Sequence, residues 1–130
     1  MAFDPKNNLT YTQMYASKSL STNNTATNGV DLRGYEGPVA VRVNFGVKTV
    51  GDNDGTVTVF LQSAANNTAS EATNISVGNV TTSNNTAAGG TLQVDPRACY
   101  RWLFGRITFT GTNTPTYPVS MELVGVKQVQ

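Results

Sequence analysis

The sequence has no histidine and a single cysteine, Cys99. Without histidine there can be no Ser-His-Asp or Cys-His catalytic arrangement, and most zinc sites are excluded as well. A single cysteine cannot form an intrachain disulfide, and its place in a strand-like run predicts a small buried thiol rather than a nucleophile. The missing residue types therefore exclude the commonest forms of nucleophilic and zinc-dependent catalysis.

Charged residues are also scarce, at 13% of the chain, where an average domain has about a quarter. Nine Lys and Arg against eight Asp and Glu give a net charge of +1, so no basic surface is indicated for nucleic acid or an anionic membrane. The N-terminus has no signal-peptide pattern, and no apolar run is long enough to span a membrane. We therefore predict no nucleic-acid partner and no membrane partner.

Solubility must then depend on Thr and Asn, which are abundant. Their short side chains lose little conformational entropy when a surface becomes ordered against a partner. This composition fits an assembly protein, and it fits an ordinary β domain equally well.

Alternation of apolar and polar residues is the strongest pattern in the chain. Segment 39–47 has Val or Phe at every odd position, and the alternation resumes at residues 57–61 after Gly51-Asp-Asn-Asp-Gly55. Period-two alternation is typical of strands with one buried face, and the Asp-Gly turn between the segments predicts a hairpin. A second long strand is predicted from residue 99 to 110, with a bulge at Gly105.

Seven to eight strands can be counted, and no segment shows helical periodicity. Several connections are about ten residues long, which suits crossings between two sheets better than a tight meander. At 130 residues the chain is one domain in length. We predict an all-β, antiparallel two-sheet sandwich of jelly-roll type over residues 29–130, preceded by an extended N-terminal arm and loop over residues 1–28.

The turn Asp52-Asn53-Asp54-Gly55 is similar to the first half of a calcium-binding loop, but Leu61 stands where that loop needs its bidentate Glu. A hairpin turn is favoured, and a weak surface cation site at Asp52 and Asp54 is left open. The remaining carboxylates are not gathered in an aromatic cluster of the kind that raises a pKa and stacks a sugar. No catalytic residue, cofactor or firmly bound metal is predicted.

The aromatic residues Tyr100, Trp102 and Phe104 share one face of the predicted late strand. They fit a buried core better than a stacking platform for bases or sugars. Three of the five arginines lie between Arg97 and Arg106. Arginine is enriched at protein interfaces, so these side chains are either partner contacts or part of a solvated strand face.

Three segments carry a resemblance to a known family: Gly37-Pro-Val-Ala-Val-Arg-Val-Asn-Phe-Gly46, Asp54-Gly-Thr-Val-Thr-Val-Phe-Leu-Gln62 and Tyr100-Arg-Trp-Leu-Phe-Gly-Arg-Ile-Thr-Phe-Thr-Gly-Thr112. With the polar N-terminus before them and a short strand after them, they resemble the small jelly-roll decoration, or cement, proteins of tailed bacteriophages. The resemblance covers most of residues 30–127 and consists of strand patterns rather than catalytic motifs. The loop 63–70 departs from the aspartate-rich loop that is common in that family.

The resemblance implies a non-enzymatic virion protein, made in the host cytoplasm, on the outer surface of the capsid. It would act as a homotrimer that clamps adjacent subunits of the major capsid protein and stabilises the expanded shell. The candidate contact residues are those of the N-terminal arm and three arginines: Phe3, Tyr11, Met14, Tyr15, Arg42, Arg101 and Arg106. Two alternatives stay open, a carbohydrate- or receptor-binding sandwich of a phage tail or spike and a self-assembling jelly-roll coat subunit.

Overall fold

The computed structural model describes residues 9–20, 25–47, 56–83, 87–110 and 117–127. These residues form strands and two 3-10 helices, Ala69–Glu71 and Pro96–Ala98. The strands are β1 (Leu9–Leu20), β2 (Thr25–Ala26), β3 (Val30–Asp31), β4 (Val39–Phe45), β5 (Thr56–Ala64), β6 (Thr73–Ser83), β7 (Ala88–Val94), β8 (Trp102–Thr110) and β9 (Tyr117–Val126).

The strands form two antiparallel sheets in jelly-roll order. Sheet A has the order β1-β9-β4-β7, and sheet B has the order β2-β8-β5-β6, with β3 also paired to β8. The chain changes sheet at every connection except β2 to β3 and β5 to β6. This arrangement confirms the predicted all-β sandwich of jelly-roll type. Since β2 and β3 pair with β8 one after the other, the nine strands occupy eight positions in the two sheets.

The inner faces of the two sheets meet in one continuous apolar core. The odd-numbered residues of β4 are at most 3% exposed, as the alternation predicts. The long strands β5, β8 and β9 contribute in the same way, through Val57, Val59, Leu61, Leu103, Ile107, Tyr117, Val119, Met121 and Leu123. The core is therefore built from alternate positions of strands in both sheets.

The predicted hairpin between β4 and β5 is wrong. β4 pairs with β7 and β9 in sheet A, whereas β5 pairs with β6 and β8 in sheet B. Alternation specifies which face of a strand is buried, but it does not specify which strand lies beside it. The turn 51–55, with Asp52 and Asp54, lies outside the described residues.

Residues 9–20 belong to the sandwich and are not a free arm. They form β1, which pairs antiparallel with β9. Met14 and Tyr15 are 1% and 9% exposed and lie in the core. Both of these neighbours are buried because a bulge interrupts the β1 register between Gln13 and Tyr15. The boundary expected at residue 28 therefore does not coincide with the edge of the sandwich, and Phe3 lies outside the described residues.

Gly105 is not the site of a bulge, because β8 pairs with β5 without a register shift. A Cβ atom at this position would lie 2.8 Å from Met121 Sδ and 3.1 Å from Thr27 Cγ2, so a larger residue would displace the end of the Met121 side chain and crowd Thr27. The irregularity lies on the other side of β8, in the residues between β2 and β3. There the Thr27 N–H donates to the Gly105 carbonyl at 2.9 Å, and Thr27 Oγ1 accepts from the Gly105 N–H at 2.8 Å.

The substitution Met14→Ala tests whether β1 is an integral strand. We expect it to lower the free energy of unfolding by about 2–5 kcal/mol, because it removes a buried side chain and leaves a cavity. The control Tyr11→Ala changes a side chain of the same strand that is 58% exposed, and it should alter stability by less than about 0.5 kcal/mol. Urea unfolding measures both variants. Equal stability of Met14→Ala and the unaltered protein would contradict the packing of β1.

Candidate partner-contact surfaces

Sheet A presents a broad surface on the side away from the core, which we call outer face A. It consists of the outward-pointing residues of the four strands, as their register and burial define them. They are Leu9, Tyr11, Gln13, Ala40, Arg42, Asn44, Gly89, Thr91, Gln93, Ser120, Glu122, Val124 and Val126.

The strand register brings two predicted contact residues, Tyr11 and Arg42, to this one face. Tyr11 lies opposite Val124, and Arg42 lies opposite Glu122, two positions earlier in β9. Tyr11 and Arg42 are therefore in neighbouring rows of side chains. Their strands, β1 and β4, are about 10 Å apart, because β9 lies between them and each strand spacing is about 4.8 Å.

Outer face A is apolar at one corner and almost free of charge. Leu9 and Tyr11 are 40% and 58% exposed, beside the half-buried Val124 and Val126. Of the thirteen residues that define the face, Arg42 and Glu122 carry its charge, and they lie opposite each other. Such a surface can be dehydrated at low cost, because few of its groups must give up strong hydration.

A small cavity of about 290 Å³ opens at the bulge of β1, between Tyr15, Arg42 and Glu122. Tyr15 lines this cavity while remaining mostly buried. Burial raises the pKa of Tyr15 above its ordinary value of 10.0. Met14 and Tyr15 are candidate partner contacts by sequence, but in the structure they pack in the core of their own chain.

Arg101 lies at the other sheet and holds two of its strands together. Its Nη2 and Nε donate to the Asp31 carboxylate at 2.8 and 3.1 Å, which joins β3 to the start of β8. The guanidinium carbon also lies 5.1 Å from the ring centroid of Trp102. The hydrogen bond from Arg101 lowers the pKa of Asp31 from 3.8 to about 2, although partial burial acts in the opposite direction.

Arg106 is the centre of a polar network on sheet B. Its Nε donates to Gln62 Oε1 at 3.0 Å, and its Nη2 donates to the Ala69 carbonyl at 3.4 Å. Gln62 Nε2 in turn donates to Asn74 Oδ1 at 2.8 Å. Arg106 therefore links β8, β5, β6 and the 3-10 helix 69–71. The candidate arginines are split between the sheets, and only Arg42 shares a face with Tyr11.

The late aromatic residues do not form one buried row. Phe104 is buried, Trp102 is half-buried, and Tyr100 is 59% exposed. Tyr100 precedes β8, which begins at Trp102, so the predicted core position is wrong for Tyr100.

Cys99 follows the 3-10 helix 96–98 and is half-buried, not in mid-strand. Its Sγ lies 3.7 and 3.8 Å from the carbonyl oxygens of Asp95 and Pro96. Burial, with a smaller contribution from the negative charge of Asp95, raises the pKa of the Cys99 thiol. A raised pKa lowers the thiolate fraction and makes this cysteine a poorer nucleophile.

Within the described part of the chain, no helix is long and apolar enough to cross a membrane. The same residues contain no group of three or more His, Cys, Asp and Glu side chains that could hold a metal ion.

No protein-family model matches the sequence, and no curated protein matches it. The fold is similar to a chain from Bacillus endospore appendages, a family of disulfide-linked pili, with a TM-score of 0.52 and 13% identity over 93% of this chain and 89% of that one. It is also similar to the CBM36-1 domain of a multidomain xylanase from the hindgut metagenome of Trinervitermes trinervoides, with a TM-score of 0.46 and 13% identity over 94% and 100% of the two chains. At this identity the pilus chain supports the sandwich fold alone.

The Asp31–Arg101 pair predicts a specific acid sensitivity. Because the folded state lowers the pKa of Asp31, the pair stabilises the fold above the ordinary value of 3.8, and this stability is lost as the pH falls toward about 2. We expect Asp31→Asn to be less stable than the unaltered protein at neutral pH, with a difference that shrinks over this range.

Urea midpoints measured across that pH range check the expectation. Arg33→Gln serves as a matched control, since Arg33 also contacts Asp31, at 3.4 Å, but through a largely exposed side chain. Its effect should be the smaller of the two. A difference between Asp31→Asn and the unaltered protein that does not change with pH would contradict the role of the ion pair.

Proposed function

We propose that this chain is a non-enzymatic structural protein of a virion that binds the outer surface of a phage head and clamps adjacent major capsid subunits. Outer face A is the surface that makes the contact. The observation that carries the proposal is the exposure of Leu9 and Tyr11 at the edge of this nearly uncharged, four-stranded face. The identity of the partner comes from the resemblance of the strand segments to capsid cement proteins.

The position of β1 supports contact with a neighbour. It is twelve residues long and lies at the edge of sheet A, where it pairs on one side with β9. Long exposed edge strands favour unwanted pairing, so proteins usually keep them short, charged or covered. The exposed residues of β1 include Leu9 and Tyr11, which bring no charge to the edge. A neighbouring subunit over this edge would bury both side chains.

A trimer would strengthen weak contacts of this kind. An interface of about 800 Å² per partner is enough for a specific complex. Three linked copies on a symmetric shell then bind with a high effective concentration, so each single contact can be modest. Tyrosine is among the residue types that carry most binding energy in interfaces, which makes Tyr11 the first residue to test.

In the described part of the chain, the ionisable groups with shifted pKa values have structural causes, which supports a non-enzymatic function. The pKa of Asp31 is lowered by its ion pair, and the pKa values of Tyr15 and Tyr117 are raised by burial in the core. The pKa of Cys99 is raised, which is the wrong direction for a nucleophile.

Solution mass, followed by co-sedimentation with expanded heads of the virus that carries the gene, tests the proposal. We expect a trimer that binds heads, and we expect Tyr11→Ala to weaken binding at least tenfold because it removes the exposed aromatic of outer face A. Tyr100→Ala is a matched control, since Tyr100 is equally exposed but lies elsewhere.

Equal binding of Tyr11→Ala and Tyr100→Ala would contradict the assignment of outer face A. A protein that does not bind heads at all would contradict the capsid function. Assembly of the purified chain into closed particles would show a coat subunit instead.

A further inference from the structure

A groove lies at the end of the sandwich where β5 ends and β6 begins. Its residues belong to sheet B or to the segment before β8, whereas outer face A lies on sheet A. The groove has a volume of about 490 Å³, and its wall includes Ser63, Thr73, Asn74, Ile75, Arg97 and Tyr100. A second cavity of about 440 Å³ shares Asn74 and Ile75 with it and extends to Phe60 and Gly78. Both volumes fall within the range of about 300–1,000 Å³ that is common for small-molecule sites.

The sequence builds one wall of the groove through a large bulge in β6. Phe60 lies opposite Asn79, but Gln62 lies opposite Asn74, so residues 75–78 leave the ladder. Gly78 permits this excursion, because its φ of +94° is a conformation that other residues rarely adopt. Bulges often redirect side chains next to binding sites, and this one places Ile75 in the groove.

The other wall is held in place by hydrogen bonds near the start of β8. Asp95 caps the 3-10 helix 96–98 by accepting from the Arg97 N–H at 3.0 Å. Two residues beyond the helix, the Tyr100 N–H donates to Ser63 Oγ at 3.2 Å. Tyr100 is therefore fixed at its backbone while its ring stays 59% exposed. A site that is rigid before binding loses less entropy when a ligand arrives.

The side chains of the groove combine an aromatic ring with uncharged hydrogen-bonding groups. Asn74 Oδ1 accepts from Gln62, and in the described residues its NH₂ group makes no hydrogen bond, so two donors remain for a ligand. Thr73 and Ser63 also line the groove. A pyranose ring has apolar C–H faces that stack on an aromatic ring and hydroxyls at its rim that pair with amides and hydroxyls.

Charge favours a neutral ligand at this position. Arg97 is the cationic residue of the groove, and its Nε lies 3.5 Å from the Asp95 carboxylate, which offsets the positive charge. A phosphate or carboxylate would therefore gain little net attraction here. From the exposed Tyr100 ring, the donors of Asn74 and the neutral balance, we propose that this groove binds an uncharged saccharide.

This site is independent of the proposed capsid function. Tyr11 belongs to outer face A on sheet A, whereas Tyr100 precedes β8 of sheet B. A chain that clamps a shell can therefore also hold a glycan, and either proposal can fail while the other stands.

Saturation-transfer NMR on the full chain measures the binding of four neutral probes: chitotriose, cellotriose, xylotriose and lactose. We expect at least one probe to bind with a Kd of about 1 mM or tighter. Tyr100→Ala should weaken that binding at least fivefold, and the control Tyr11→Ala, an equally exposed tyrosine on sheet A, should leave it unchanged. Far-UV circular dichroism of each variant confirms that the fold is kept.

A second readout uses Cys99, which lines the same groove and is the single cysteine of the chain. The bound saccharide should slow alkylation of Cys99 at alkaline pH at least twofold. The proposal is overturned if none of the four probes binds with a Kd below about 10 mM. It is also overturned if Tyr100→Ala binds as tightly as the unaltered protein, or if alkylation is unaffected by a probe that binds.

Discussion

The apolar layer between the two sheets is the constraint on which the rest of the structure depends. Both sheets must fill a space about 10 Å thick from their inner faces. Since strand side chains alternate, each inward residue also determines an outward one. Val41 and Val43 point into this layer, so Arg42 must point out onto outer face A. Outer face A is therefore a consequence of how the core is filled.

The burial of individual strands could be predicted from the sequence, but their pairing could not. The alternation of residues 39–45 correctly indicated which residues are buried. The same pattern suggested a hairpin with the next strand, whereas β4 and β5 lie in different sheets. Pairing is decided by contacts between distant segments, and the bulge that buries Met14 and Tyr15 together has the same origin. Local sequence carries little information about either.

The sequence predicts the candidate contact residues with a similar limit: it indicates single residues but not which of them share a face. The sequence indicates Tyr11 and Arg42 as separate candidates, and their common face follows from the register of β1, β9 and β4. The alternation of Tyr100 with Trp102 predicts a core position for Tyr100. A local signal did mark the break between them: Asp95-Pro96 has the cap and first-turn proline of a helix start. That signal, weighed against the alternation, would have placed Tyr100 outside the strand.

The distribution of charge determines how the proposed binding through outer face A would work in a chain with few ionic residues. Arg101 and Arg106 are used within the fold, where they join β3 to β8 and β8 to β5 and the helix 69–71. Outer face A keeps one arginine beside one glutamate and has almost no net charge. Binding through this face would depend on apolar contact and shape, and salt would screen it weakly. A steep fall in the affinity for phage heads with rising salt concentration would contradict this account.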